Sequence, residues 1–292
     1  MIKENPTVSV MMNCLNADSF LKNAIDSVYS QSFDDWEIIF WDNASTDNSL
    51  KIAQSYDHKT RIFSSEETVN LGKARSEAVL KAKGRYLAFL DCDDVWLDKH
   101  LEILLKKFNE DEDIGLIYGR SKIIDEDNST VGFYHDPYPD IGAELPSGNI
   151  FKDLCKRNFI PFVSAMADKK KFFEAGGFPS DFKHSTDYYL FLNMARICKV
   201  KAIDSIQSCV RIHQTNLTNS SKSLAAKESI KVVESFLPDK RAIDGIKHLR
   251  VNLAIAYLKE KNIFQSVAMI VKYNLWKLAT KRVLRLFWFW KS

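Results

Sequence analysis

The first half of the chain alternates short apolar runs with segments of helical periodicity. Val8-Ser9-Val10-Met11-Met12 is nearly continuous in apolar character rather than alternating, which predicts a strand buried on both faces. Asp18 offers cap chemistry to a helix in which Phe20, Leu21, Ala24, Ile25 and Val28 share one face. Trp36 to Trp41 predicts a second strand, and Ser45-Thr46-Asp47 supplies cap residues for a helix through Ile52 and Ala53. Arg61-Ile62-Phe63 reads as a short third strand. A helix is expected from Leu71 to Ala82, with Gly84 as its stop. Tyr86 to Leu90 is a fourth strand, followed by a helix from Asp98 to Phe108 and a strand at Ile114 to Tyr118.

Strands alternating with helices of this length imply βαβ units and a mostly parallel sheet. Ligands of such sheets bind beyond the carboxyl ends of the strands. That rule singles out three polar loops, Asn13-Cys14-Leu15-Asn16, Asp42-Asn43-Ala44-Ser45 and Asp91-Cys92-Asp93-Asp94. The second half is less regular. Residues 123–147 read as hairpins and loops, 150–158 and 187–197 as helices, and 199–210 as strand and connection. From Ser223 the pattern is helical, with a break at Leu237-Pro238-Asp239.

Composition narrows the class. The 292 residues are 46% hydrophobic and 27% charged, which is ordinary for a globular protein and excludes a collagen or a disordered chain. Lys and Arg number 41 against 38 Asp and Glu, a balance that argues against nucleic-acid binding. The five cysteines are odd in number and form no CxxC pair, so neither a disulfide framework nor a zinc site is expected, and a reducing cytoplasm fits. Met1 to Pro6 shows no apolar core of a secretory leader, and no run approaches the ~18 apolar residues of a membrane span. The sequons at Asn43 and Asn216 are therefore read as accidental. Charge is uneven, however. From Lys272 onward the chain carries Lys277, Lys281, Arg282, Arg285 and Lys291 and no acid, interleaved with Trp276, Phe287, Trp288, Phe289 and Trp290. This predicts a basic, aromatic helix lying on a membrane surface, at the cytoplasmic face. The competing expectation is a helix packed on the body or on a second subunit of a homodimer.

The acidic loops carry the candidate chemistry. Three carboxylates within four positions repel one another, and a divalent cation relieves that cost. Hard oxygen ligands suit Mg²⁺ or Mn²⁺; the bland alternative is a solvated acidic turn. Asp42 is placed to accept a hydrogen bond from a base or a ribose hydroxyl, or else to close an Asx turn. Asn70-Leu71-Gly72-Lys73-Ala74-Arg75 sets two cations in the first turn of a helix, an unfavourable end for them unless an anion such as a diphosphate docks there. Neither a P-loop nor GxGxxG is present.

Taken in order, Val8 to Asn16, Ala24-Ile25-Asp26-Ser27-Val28 with Gln31, Trp36-Glu37-Ile38, Asp42 to Asp47 and Leu90 to Asp94 resemble the family 2 glycosyltransferases of GT-A fold. The resemblance covers residues 7–215. It implies a GT-A domain over 1–220, a mostly parallel sheet flanked by helices, and leaves 221–292 as a helical C-terminal extension. It further implies a nucleotide-diphosphate sugar donor, UDP-linked, a divalent metal (Mn²⁺ or Mg²⁺), inverting transfer, and a glycan or lipid-linked acceptor. By the same resemblance Asn13, Asn16 and Asp42 hold the nucleoside, Lys73 and Arg75 approach the nucleotide, Asp91 binds ribose, and Asp93 and Asp94 reach the metal. Gly176-Gly177-Phe178 followed by Thr186-Asp187 is similar to the family's base motif, which makes Asp187 the general base; a helix first turn favours its ionised form. Arg211-Ile212-His213 with Thr218 resembles a closing motif, placing Arg211 with the donor and His213 with the metal, where imidazole favours Mn²⁺. Two departures stand out. Leu15 replaces a Tyr that stacks on the base in relatives, and Thr186 replaces a Glu. A nucleotidyltransferase would need a Gly-rich first loop, which Met12 to Asn16 lacks. A non-catalytic scaffold would not need Asp42, Asp91, Asp93, Asp94 and Asp187.

Overall fold

The computed structural model describes residues 5–134, 144–214, 216 and 222–279. The chain divides into two compact units, Met1–Ile150 with Phe159–Gln214, and Phe151–Asn158 with Thr215–Ser292.

The first unit is an α/β layer structure built on one sheet. Its strands are β1 (Val8–Cys14), β2 (Trp36–Asp42), β3 (Thr60–Ser64), β4 (Tyr86–Phe89), β5 (Val95–Trp96), β6 (Ile114–Ile124), β7 (Thr130–Phe133), β8 (Met166–Asp168) and β9 (Lys199–Arg211). They lie in the order β3-β2-β1-β4-β8-β6-β9-β5, with β7 paired to β6. The β3-β2-β1-β4 half is parallel, as the βαβ alternation predicts. The short β8 then runs antiparallel between β4 and β6, and β6 and β9 pair in parallel along most of their length. Most paired positions are thus parallel, and the mixed half lies beyond β4.

The first strands are apolar on both faces because helices cover both. Val10, Met12, Ile38 and Phe40 pack with Leu21, Ile25 and Val28 of α1 (Asp18–Tyr29), all fully buried. The remaining helices of this unit are α2 (Ser49–Gln54), α3 (Leu71–Val79), α4 (His100–Phe108), α6 (Lys169–Glu174) and α7 (Thr186–Ile197), with α5 (Phe151–Lys156) in the other unit. On α3 the buried stripe runs through Gly72, Ala74, Arg75, Ala78 and Val79.

Several expectations need correction. Asp18 does not cap its own helix, because α1 has no side-chain cap. Ser49 Oγ and an Asp47 carboxylate oxygen receive the Ala17 and Asp18 N–H groups instead, and Asp18 in turn accepts from Asn48 N–H at the start of α2. The two helix starts cap each other, a pairing across thirty residues that local spacing does not reveal. The helix expected from Asp98 begins at His100, and the residues before it form the two-residue β5 against β9. The strand at 114 runs on to Ile124, and 199–211 is one strand with irregular register rather than strand and connection. The β8 and α6 elements were not foreseen.

In the second unit, α5 packs on helix Lys240–Lys259, where Gly245 meets the Cys155 carbonyl too closely for any side chain. Phe151 adds an edge-on contact with Phe236 at 5.2 Å. Helices Lys222–Glu234 and Ile263–Lys272 complete the described part, with the expected break between 234 and 240. The basic aromatic segment at 281–292, together with Thr218, lies outside the described residues. No described helix is long and apolar enough to cross a membrane.

Candidate active site

The three polar loops meet at the carboxyl ends of β1, β2 and β4. Cys14 pairs in register with Asp42, and Asn43 N–H donates to the Cys14 carbonyl at 2.8 Å. On the other side, Leu90 N–H donates to Met11 O at 3.1 Å, and Cys92 Sγ lies 3.4 Å from Asn13 O.

The first two loops close on each other. Asn16 has a left-handed φ of 53°; its N–H donates to Ser45 Oγ, and its Oδ1 accepts from Thr46 N–H at 2.8 Å. Asp42 is buried, and both of its carboxylate oxygens lie 3.3 Å from Ser45 N. The Asp42 side chain thus closes a local turn, reaching three residues on rather than the two of an Asx turn. Asn13, the next-to-last residue of β1, has a buried Nδ2 that finds no hydrogen-bond partner among the described residues, an amide donor left for a ligand or a water.

The acidic loop is held by two arginines from distant parts of the chain. Arg75, on the buried stripe of α3, donates to Asp91 Oδ1 and to Thr186 Oγ1, both at 2.8 Å. Its guanidinium lies 3.9 Å from the centre of the Phe162 ring, a cation–π contact in a buried setting. Thr186 opens α7, so one side chain links the acidic loop to the helix turn that carries Asp187. Desolvation raises the Asp91 carboxyl above its ordinary range, Arg75 opposes that rise, and the charges of Asp93 and Asp187 add to it. Asp187 is therefore near enough to Asp91 for their charges to interact.

Arg211 ends β9 almost fully buried. Its backbone N–H donates to Asp94 Oδ1 at 2.8 Å, and its Nε to the Asp93 carbonyl at 2.9 Å. The remaining guanidinium nitrogens reach the Asp125 carbonyl and Asn128 Oδ1, each at 2.8 Å. The residue expected among the donor contacts thus clamps the acidic loop to the β6–β7 turn. Burial, with Asp93 and Asp91 adding to it, pushes the Asp94 carboxyl well above the usual range.

His213 Nε2 lies 2.9 Å from Asp93 Oδ2, and its ring rests 4.9 Å from Phe20. A carboxylate and an imidazole side by side, in a pocket already crowded with negative charge, fit a hard to borderline divalent cation. No group of three ligating side chains is assembled among the described residues, so a cation would draw further ligands from substrate.

The start of α3 departs from expectation. Asn70 Oδ1 takes the Lys73 N–H, and the Phe182 carbonyl takes the Gly72 N–H at 3.0 Å. The backbone of Pro179 and Phe182 crosses so close to Gly72 that a Cβ would overlap it. An anion has no room on those two N–H groups; Arg75 turns inward to Asp91, while Lys73 is exposed. Cys14 and Cys92 share a side-chain hydrogen bond, and the register carries a signal for it, because β1 and β4 pair at Met11↔Phe89 and both cysteines lie three residues further on.

A parallel sheet with acidic loops at its carboxyl ends, joined to a helix-borne carboxylate, is the arrangement in which α/β proteins bind ligands beyond their strand ends. The family model for glycosyl transferase family 2 matches residues 9–167, and the chain belongs to that family. It is a glycosyltransferase. It is 29% identical over 215 residues to the Escherichia coli UDP-Glc:alpha-D-GlcNAc-diphosphoundecaprenol beta-1,3-glucosyltransferase WfgD, covering 73% of this chain and 79% of that one. It is 38% identical over 109 residues to the putative teichuronic acid biosynthesis glycosyltransferase TuaG of Bacillus subtilis, covering 35% of this chain and 43% of the relative. Against the Escherichia coli chondroitin synthase, at 23% identity, the match spans 33% of the relative's length. Among solved structures, TarS of S. aureus with UDP-GlcNAc superposes with a TM-score of 0.62 at 16% identity, over 87% of this chain and 73% of that one. The Pyrobaculum calidifontis mannosyltransferase PcManGT, with GDP-Man and Mn²⁺, gives 0.65 at 14% identity, over 97% and 86%. The fold is that of the GT-A glycosyltransferases.

Proposed function

We propose that the chain transfers a sugar from a UDP-linked donor to a hydroxyl of a glycan or lipid-linked acceptor, with inversion at the anomeric carbon and Asp187 as the base. The observation that carries this reading is the Arg75 bridge, which joins the ribose-side carboxylate Asp91 to the first turn of α7, where Asp187 stands. The UDP-Glc and diphosphoundecaprenol in the name of the Escherichia coli relative support the donor and acceptor classes.

Asn13, Asn16 and Asp42 form the nucleoside end, with the unpartnered Asn13 amide as a hydrogen-bond donor to it. Asp91 accepts from the ribose. Asp93 and His213 would hold a divalent cation, with Asp94 behind them, and the Mn²⁺ of the mannosyltransferase neighbour supports that assignment. Bound there, the cation supplies positive charge against the leaving diphosphate. Asp187 accepts the proton of the acceptor hydroxyl as the hydroxyl oxygen bonds to the anomeric carbon from the face opposite the leaving diphosphate. The bond from that carbon to the diphosphate oxygen breaks, and nucleoside diphosphate leaves.

Asp187→Asn keeps the shape and removes the base, so transfer should fall by about 10³-fold while UDP-sugar affinity stays within a few-fold. Radiolabelled sugar transfer and calorimetric donor titration measure the two. A parallel loss of donor affinity would assign Asp187 to binding rather than proton transfer.

A further inference from the structure

Helix Ile263–Lys272 has two apolar sides, and the described protein covers one of them. Met269 and Ile270 pack in the small cluster around Val251 and Leu275. Ile263, Phe264, Val267 and Val271 do not; they are 65%, 79%, 48% and 58% exposed. At about 100° per residue these four fall on a single arc roughly 100° wide. Trp276, 54% exposed, adds a large aromatic just beyond the helix end. An apolar arc of this width on a surface helix normally faces a core, so its exposure calls for an occupant.

Charge selects that occupant. Exposed Lys259 and Lys261 precede the helix, and Lys272 and Lys277 follow its apolar arc. Glu260, the lone acid between Lys259 and Trp276, accepts the Ser223 N–H. A second copy seated face to face would bring these lysines against their own kind. The chain's own segment 280–292 carries Lys281, Arg282, Arg285 and Lys291 and no acid, so it too would add like charge. An anionic lipid surface brings the opposite charge together with an apolar interior. We propose that this face of helix Ile263–Lys272 docks on an anionic bilayer, with Phe264 and its neighbours entering the acyl boundary and the lysines meeting headgroup phosphates. The proposal deepens the lipid-linked acceptor reading and rests on it for its biological sense.

The test is flotation of the full chain with vesicles of phosphatidylcholine alone or mixed with phosphatidylglycerol. The unaltered protein should float with the mixed vesicles and weakly, if at all, with neutral ones. The double variant Ile263→Ser with Phe264→Ser should lower the bound fraction by about tenfold or more, since two large side chains lose their partition into lipid. Both residues are exposed, so its melting temperature should stay unchanged, which separates lost docking from lost folding. Lys272→Glu should weaken binding to mixed vesicles by a few-fold. Absence of flotation by the unaltered chain, or equal flotation of the double variant, overturns the proposal. So does a dimer of the unaltered chain that the double variant turns into a monomer without change in flotation. Release of UDP from a UDP-sugar panel keeps the two readings apart. Flotation without release by any donor removes the proposed donor chemistry alone, and release without flotation removes the membrane surface alone.

Discussion

The loop after β2 and the loop after β4 both begin with an aspartate at the end of a buried strand, yet they are stabilised in opposite ways. Asp42 closes on Ser45, three residues away, and Ser45 and Thr46 tie that turn to Asn16 in the neighbouring loop. Its support is backbone and short side chains close at hand. Asp91 to Asp94 are held by Arg75 and Arg211, the latter 117 residues along the chain from Asp94. The difference teaches where the fold concentrates its long-range order. A loop that must tolerate three like charges has to recruit cations and donors from other elements, whereas a single carboxylate needs only its own turn.

The comparison breaks most severely if the distant clamp is removed. Arg211→Met strips donors from the partly buried carbonyls of Asp93 and Asp125 and leaves a fully buried position without its charge-assisted bonds, which should cost about 3 kcal/mol of stability, read by urea unfolding. A loss no larger than that of an exposed substitution would mean that the acidic loop supports itself. Acid should loosen the same support from behind. His100 stacks on Trp96 at 4.3 Å, and Trp96 pairs with Ser208 in β9, the strand that ends in Arg211. Burial holds the His100 imidazole down at about 3, from an ordinary 6.5. The unfolded chain therefore takes up this proton first. The contribution is fully present above pH 6.5 and is lost as pH falls towards 3. Between pH 6.5 and 5 the loss should approach about 2 kcal/mol at roughly 1.4 kcal/mol per unit. His100→Phe should flatten the stability–pH curve across that window, and an unchanged slope would assign the acid sensitivity to other groups. The smallest effect belongs to the local loop. Ser45→Ala removes the acceptor of the Asn16 N–H at an exposed position and should cost about 0.5–1 kcal/mol, visible as a small melting shift. A larger loss would show that the first two loops also depend on distant support.

This contrast also separates what the sequence made legible from what it did not. The strands through β4, the three loops and the first-half helices follow from apolar runs and periodicity, which act within a few positions. Arg75 stands at the expected end of α3 but turns inward to Asp91. Its spacing with Gly72, Ala78 and Val79 already puts it on the buried face of α3, and that phase was the signal to follow. The clamp made by Arg211 is not legible, because a motif names residue types and not the carbonyls they meet. The three-residue β8 is too short for any period to mark. Strand β9 obscures its own continuity, because its register with β6 shifts near Gly119 and Arg120. Cross-capping of α1 and α2 joins residues about thirty positions apart, beyond the reach of local cap rules.

The guanidinium of Arg75 touches Asp91 with one nitrogen and Thr186 with another. The two halves of such an enzyme are therefore not interchangeable parts. A chimera that imports helix α7 of a relative with Glu at position 186 would place a second carboxylate on a cation already engaged by Asp91. One that imports a loop after β4 without its aspartate would leave the arginine facing a lone hydroxyl. Recombination between relatives has to carry positions 75, 91 and 186 as one inherited block, although they are spread over more than a hundred residues of sequence.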